Sequence, residues 1–265
     1  MDFIQQAIDK AREQRQVPDG NPPEQHSDTA SVAGGTAGPQ NIAYTQTRVV
    51  TLNSEHLRRE RVIAATENDK RTESYRQLRT QILRIMRDNN WRTLAITSPN
   101  SQAGKSLTAL NLAISVSLEV NQTVMLVDLD LRSSSLLQKL GIEAEYGLID
   151  VLEGRAELNQ TLVNPGFERL VVLPNRATAN YRSELLSSPQ MGKLLSDIVN
   201  RYQDRFIIFD LPALLDDDDA LVFAPYADAI LLVVEDGVSK RSEIERCKQL
   251  LEGTQLLGTV LNKVR

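Results

Sequence analysis

Apolar and polar positions divide the chain into three regions. Near the start, Phe3/Ile4, Ala7/Ile8 and Ala11 recur at helical spacing, and Asp2 with Gln5 resembles a capping box. The spacing predicts an amphipathic helix within residues 1–15. It is too short to be stable alone in water, so it reads either as a frayed surface helix or as a docking peptide for a partner's groove. Residues 16–47 hold Pro18, Pro22, Pro23, Pro39, Gly20, Gly34, Gly35 and Gly38, with almost no large apolar side chains. Such a stretch buries too little surface to offset chain entropy and is expected to be a disordered linker. From residue 48 the apolar content recovers. A helix is expected over Asn68–Arg87, with Tyr75, Leu78, Ile82, Leu83 and Met86 on one face.

Beyond Asn90 the pattern alternates. Apolar runs at Thr93–Thr97, Thr123–Val127, Leu170–Leu173, Phe206–Phe209, Ala229–Val234 and Leu257–Leu261 read as strands. Helical patterns at Ser106–Leu118, Ser135–Leu140, Glu184–Tyr202 and Lys240–Leu251 lie between them. Several strands lack polar alternation, as strands covered on both faces do. The expected fold class is α/β, a doubly wound and mostly parallel sheet over residues 91–265. A helical segment at 48–90 precedes it.

Composition removes several classes of function. The single cysteine, Cys247, excludes an intrachain disulfide and a cysteine-based zinc site. The two histidines, His26 and His56, both lie in the polar N-terminal part, which argues against a Ser-His-Asp hydrolase. A net charge of −5 argues against nucleic acid as a partner. No apolar run reaches the ~18 residues of a membrane span, and Met1–Gln5 does not open a signal peptide, so a cytoplasmic location is expected.

The first strand of the alternating region runs into Ser98-Pro99-Asn100-Ser101-Gln102-Ala103-Gly104-Lys105-Ser106 and then a helix. Strand, Gly-Lys-Ser and helix in that order are the setting of a P-loop. Backbone N–H groups at the helix start face phosphate oxygens, Lys105 reaches the outer phosphates, and the Ser106 hydroxyl suits Mg²⁺. The usual glycine five residues before Gly104 is replaced by Pro99. Two further strands end in carboxylates: Asp128-Leu129-Asp130-Leu131-Arg132, and Asp210-Leu211-Pro212. Ligands of open parallel sheets collect at the carboxyl ends of strands, so these residues share one edge, equipped for Mg²⁺-assisted phosphoryl transfer. The run Asp216–Asp219 reads as a solvated loop with Asp219 capping the next helix.

Asp128-x-Asp130-x-Arg132 resembles the Walker A′ motif of the bacterial tyrosine kinases linked to capsule and exopolysaccharide export. Ser183-Glu184-Leu185-Leu186-Ser187-Ser188, Asp210-Leu211-Pro212-Ala213 with Asp219-Ala220, Asp228–Val234 and Leu257–Lys263 resemble later segments of that family in the same order. Glu73-x-x-Arg76-x-x-Arg79 is similar to its oligomerisation motif. The N-terminal extension looks most like the exosortase-associated branch. The resemblance spans residues 68 to 265 and implies an ATP- and Mg²⁺-dependent tyrosine (auto)kinase. In it Ala103, Gly104, Lys105, Ser106 and Leu107 would cradle the nucleotide and Asn262 would approach the adenine. Lys105, Asp128 and Asp130 would be catalytic, with Asp128 the candidate base. Ser106, Asp130 and Asp210 would hold Mg²⁺, although the carboxylate roles are interchangeable at this level. Glu73, Arg76 and Arg79, on one helical face, would join neighbours into a ring.

Implied partners are a membrane-embedded polysaccharide co-polymerase or chain-length regulator and protein tyrosines. The implied location is cytoplasmic, held at the inner membrane by that partner.

Three features depart from the family. Ser101-Gln102 replaces Pro-Gly, Leu211 and Ala213 replace Thr and Pro, and no tyrosine cluster follows Asn262. Self-phosphorylation on a tail cluster is therefore not expected. Two other functions compete. A partitioning-type ATPase switch would carry a lysine where this chain has Asn100. A nucleotide-binding adaptor without kinase activity would account for the altered loop.

Overall fold

A computed structural model describes residues 47–65, 69–176, 180–201 and 204–264. The expected helix at 1–15, and the expected linker except for Thr47, lie outside these residues. The first elements are β1 (Arg48–Val49), α1 (Ser54–Arg59), a 3₁₀ turn (Ile63–Ala65) and α2 (Thr72–Asp88). β2 (Thr93–Thr97), α3 (Lys105–Ser117), β3 (Thr123–Asp128), α4 (Leu136–Leu140), α5 (Leu148–Leu152) and α6 (Leu158–Thr161) follow. Then come β4 (Val163–Asn164), β5 (Leu170–Leu173), α7 (Arg182–Leu186), α8 (Pro189–Arg201) and β6 (Arg205–Asp210). The last are α9 (Asp219–Phe223), a 3₁₀ turn (Ala224–Tyr226), β7 (Ala229–Glu235), α10 (Arg241–Leu250) and β8 (Leu256–Asn262).

The strands form one sheet in the order β1-β4-β5-β3-β6-β2-β7-β8, antiparallel only between β4 and β5. Residue parity sorts each central strand between two cores. Leu94, Ile96, Val124, Leu126, Phe206, Ile208, Leu231 and Val233 face α1 to α4. Ala95, Met125, Val127, Ile207, Phe209, Ile230 and Leu232 face α5 and α7 to α10. Both faces are covered, which is why these strands read as unbroken apolar runs. On the second face the rings of Phe209 and Phe223 meet edge to face, with centroids 4.8 Å apart.

Two expectations about helices need correction. The single helix expected over Glu184–Tyr202 is two, α7 and α8, divided at Ser187-Ser188. Pro189 disfavours helical backbone in the residue before it and is suited to opening the second helix. The segment 48–90 supplies a strand as well as helices, and it shares a core with the sheet: Leu57, Val62, Ile82, Leu83 and Met86 pack with Leu94, Ile96 and Ile114. Asn111 of α3 fastens it from inside. Its Oδ1 accepts from the Ala64 N–H at 2.8 Å, and its Nδ2 donates to the carbonyls of Arg61 and Leu107. Within α2, Glu73 and Arg76 are exposed and 3.6 Å apart. Arg79 does not join them on an outward face. It turns onto α3, donating to the Ser115 carbonyl at 2.9 Å and pairing with Glu119 at 2.9 Å.

At the amino end of β2, one oxygen of Asp228 accepts three hydrogen bonds, from the N–H groups of Arg92 and Thr93 and from the Thr93 hydroxyl, at 2.8 to 2.9 Å. The Asp228 N–H returns a bond to that hydroxyl. This joint sets where β2 begins beside β7, and so where its far end delivers the loop that follows. Asp228→Ala is expected to lower stability by about 2–3 kcal/mol, since two backbone donors lose an ionised acceptor. Urea unfolding followed by circular dichroism measures it.

Candidate functional site

Three adjacent central strands, β3, β6 and β2, end together. Asp128 stands directly opposite Asp210 in the parallel register of β3 and β6, and Ile96 of β2 stands opposite Asp210 on its other side. Two carboxylates therefore leave the sheet side by side, next to the loop that leaves β2. That loop, 98–104, is clamped by the segment after β6. The N–H groups of Leu214 and Leu215 donate to the carbonyls of Ser98 and Pro99, and the Thr97 hydroxyl donates to the Pro212 carbonyl at 2.6 Å. Gln102 and Gly104 take positive φ, +66° and +95°. Gly104 is the residue before α3, and its missing side chain matters. A Cβ there would collide with the Asn262 amide, which donates to the Ala103 carbonyl at 2.8 Å. The end of β8 thus closes over the turn that leads into α3.

Part of the expected site lines one cleft of about 890 Å³, whereas Asp128 and Asp210 are buried at the strand ends and Asn262 lies against Gly104, outside its lining. Gly104, Lys105, Ser106, Leu107 and Asp130 line it, with Ala103 buried behind them. Lys105 Nζ lies 2.6 Å from Asp130 Oδ2 and 3.4 Å from Ser106 Oγ. Burial works against its charge, but Asp210 and Asp130 outweigh burial and raise the pKa of the ammonium group. Asp130 is also held by the Ser133 N–H at 2.8 Å. Asp128 is fully buried, and burial, then Asp210, push its carboxyl well above the usual range against the relief given by Ser134. Ser134 Oγ lies 2.6 Å from Asp128 Oδ2 and 2.7 Å from the Asn175 carbonyl. Its one proton cannot serve both acceptors. A protonated Asp128 that donates to Ser134 completes the chain.

Asp210 is the least settled group. Both its carboxylate oxygens are buried without a hydrogen-bond partner. Burial raises its pKa to about 6, while Lys105 and the nearby Ser106 hydroxyl act in the opposite sense. Ser106 approaches without completing a hydrogen bond. An orphaned buried carboxylate beside a serine hydroxyl and a phosphate-binding loop fits Mg²⁺, which takes one or two protein oxygens and fills its other positions with phosphate and water. Among the described residues no three carboxylate, histidine or cysteine side chains form a cage of their own, and Mg²⁺ does not need one.

The acidic run 216–219 is solvated only in part, with Asp216 and Asp218 exposed, and Asp219 is not a cap. Asp218 precedes α9 without a side-chain cap bond, and Asp219 is its first residue, buried against Arg182 at 2.7 Å and Ser183 at 2.8 Å. Asp217 lines the cleft and takes looser pairs from Arg182 at 3.5 Å and Arg132 at 3.8 Å. Sequence reasoning missed Arg182, Ser134 and Lys139. Lys139 lines the cleft, and its charge is felt at Asp210. None of the three is the terminal residue of a strand or part of the P-loop, and only Arg182 adjoins a motif, the Ser183-Glu184 segment.

A stability test follows from the raised pKa values. Asp210 holds its proton in the fold at pH values where the unfolded chain, with an ordinary pKa of 3.8, has released it. Its contribution to stability is therefore full below about pH 4 and lost as pH rises through about 6. Asp210→Asn is expected to melt above the parent at pH 7.5 without nucleotide, by an equivalent of about 1–3 kcal/mol. The gap should close toward pH 4, and the variant should lose the extra stabilisation that Mg²⁺ adds to bound nucleotide. Scanning calorimetry across pH, with and without Mg²⁺ and nucleotide, measures both.

No family model matches the chain. Curated relatives and solved structures do. The tyrosine-protein kinase YwqD of Bacillus subtilis is 32% identical over 204 residues, covering 76% of this chain and 85% of YwqD. The crystal structure of the chimerical protein CapA2B2 superposes with a TM-score of 0.72 at 25% identity, over 81% of this chain and 92% of the other. The kinase domain of the Escherichia coli tyrosine kinase ETK gives 0.71 at 28% identity, over 77% and 80%. The strand-end carboxylates, the P-loop and these likenesses agree, and the chain belongs to the bacterial tyrosine-protein kinases of the capsule and exopolysaccharide type.

Proposed function

We propose that the protein transfers the γ-phosphoryl group of Mg²⁺-bound ATP to tyrosine hydroxyls of proteins, in the service of exopolysaccharide or capsule production. The observation that carries this reading is the convergence of Lys105, Asp128, Asp130 and Asp210 at one edge of the sheet, around a cleft that opens on the P-loop. Lys105 and the N–H groups that open α3 bind phosphate oxygens. Ser106 and Asp210 hold Mg²⁺, which supplies charge neutralisation on the phosphates. Asp130 keeps Lys105 charged and fixed until phosphate takes its place. Asp128, whose burial favours the protonated form, is suited to take the phenolic proton once a cation lies beside it. Asn262, whose amide bonds the Ala103 carbonyl, is assigned to the nucleotide base. The partitioning-type ATPase shares the fold, but this chain carries Asn100 where that class has its additional lysine.

Partners belong to the same proposal. Among the described residues no helix is long and apolar enough to cross a membrane. A cytoplasmic site of action, reached through a membrane-embedded co-polymerase, is the arrangement we favour. The exposed Glu73–Arg76 pair supports self-association into a ring, because an arginine fork pairs bidentately with a carboxylate across an interface. Arg79, which braces α2 on α3, supports the helix that carries the pair.

Incubation of the protein with radiolabelled ATP and Mg²⁺, followed by phosphoamino-acid analysis, tests the activity. Phosphotyrosine is expected, and Lys105→Met should lower it by at least a hundredfold with the circular dichroism spectrum unchanged. Release of phosphate without phosphotyrosine would give the ATPase reading instead. Sedimentation velocity tests the ring. Concentration-dependent association is expected in the parent and should be lost in Arg76→Ala. Arg79→Ala should also lower the melting temperature, an effect that Arg76→Ala lacks.

A further inference from the structure

Four tyrosines lie among the described residues, in different settings. Tyr75 is half-buried on α2, its hydroxyl held by Thr108 and Asn111. Tyr181 gives its proton to Glu153 at 2.6 Å. Tyr226 ends a 3₁₀ turn, with its ring 5.6 Å from that of Phe223. Tyr146, whose hydroxyl bonds the neighbouring Glu145 carboxylate, differs in its chain setting. It lies in residues 141–147, between α4 and α5, where there is neither helix nor strand. Its ring is partly exposed, and Glu143 and Glu145 before it are exposed. This loop offers a tyrosine outside regular structure, with two carboxylates just before it.

The charges of loop and cleft match. Glu143 and Glu145 stand three residues and one residue before the tyrosine. On the cleft wall, Arg132 is largely exposed, with its nearest carboxylate 3.8 Å away, and Lys139 lies close enough to act on Asp210. Of the other two cations in the cleft, Lys105 is held by Asp130, and Lys263 is tied to Glu235 at 3.0 Å. Arg132 and Lys139 are thus the cations left to meet an acidic acceptor. A place for the product also exists. Arg176 donates to the Glu145 carbonyl; the Glu145 carboxylate raises the pKa of the Tyr146 hydroxyl, and the Arg176 charge acts there in the opposite sense. A phosphate on Tyr146 gains a guanidinium partner there. The neighbouring Asn175 carbonyl takes the Ser134 hydroxyl that contacts Asp128, so the product would bear on the strand exit that holds the site.

We propose that Tyr146 is a self-phosphorylation site, entered into the cleft of a second copy of this chain and guided there by Glu143 and Glu145 meeting Arg132 and Lys139. The proposal rests on the kinase reading above. The phenolic oxygen of Tyr146 forms the new bond to the γ-phosphorus of ATP as the bond to the β-phosphate oxygen breaks. ADP leaves, and the phenolic proton passes to a carboxylate at the strand ends and then to water.

Three measurements test it. First, the parent and Tyr146→Phe are incubated with Mg²⁺ and ATP, alone and with a random glutamate–tyrosine polymer, and labelled sites are mapped by mass spectrometry. Tyr146 should carry most of the self-incorporated phosphate, and Tyr146→Phe should lose at least fivefold while labelling the polymer as the parent does. Polymer labelling with undiminished self-labelling in Tyr146→Phe would overturn the proposal and leave the kinase reading standing. No labelling of either substrate would overturn both. Second, active Tyr146→Phe mixed with Lys105→Met should label Tyr146 of the inactive chain; label absent from that chain would overturn transfer between copies. Third, a fluorescent peptide of residues 140–149 should bind the protein without nucleotide, at least fivefold more weakly in Arg132→Ala/Lys139→Ala. Equal binding would overturn the assigned recognition.

Discussion

Two aspartates facing each other at the ends of neighbouring parallel strands are the constraint to which the rest of the site answers. Asp128 and Asp210 are fully buried and in register. Two ionised carboxylates in that position repel each other and lose their hydration, so the fold without ligand holds them by protonation, by the charge of Lys105 and, at Asp128, by contacts with Ser134 and the Asp130 N–H. Lys105 itself is buried, and it remains charged because Asp210 and Asp130 surround it. The cluster is thus built around charge that it lacks. Under the proposed function a divalent cation and a polyphosphate would supply both signs at once, and their binding would relieve a strain that the apolar core on either side of the sheet sustains.

That core explains how such strain is tolerated. Central strands divide residue by residue between two apolar layers, and α3, which follows the P-loop, is buried along almost its whole length. The burial of strands and helix fixes the ends of β2, β3 and β6, and Asp228 and Asn111 pin the two approaches with polar bonds. Stability lies away from the cleft, where polar groups need not be matched to one another.

Much of this was legible in the sequence because the central strands are covered on both faces and read as apolar runs. The carboxylates at their ends could be counted from the same runs. What was not legible depended on partners distant in the chain. β1 and β4 are two residues long and carry no periodicity. Arg79 has helical spacing with Glu73 and Arg76, yet it turns toward Ser115 and Glu119, residues whose proximity only the packing of α2 on α3 creates. Asp219 sits within a run that reads as solvated, and its burial depends on Arg182, thirty-seven positions earlier. The break at Pro189 is a local signal masked by an apolar pattern that continues through it.

The hydrogen bond from Asn262 to Ala103 joins residues 159 positions apart. The turn that receives phosphate emerges from the ribosome long before the residue that closes it. β2 must also wait for β6 and β7 on its two sides, both made later. A growing chain therefore lacks the complete proposed nucleotide site until β8 is paired, and the order of synthesis itself would keep an unfinished kinase from firing.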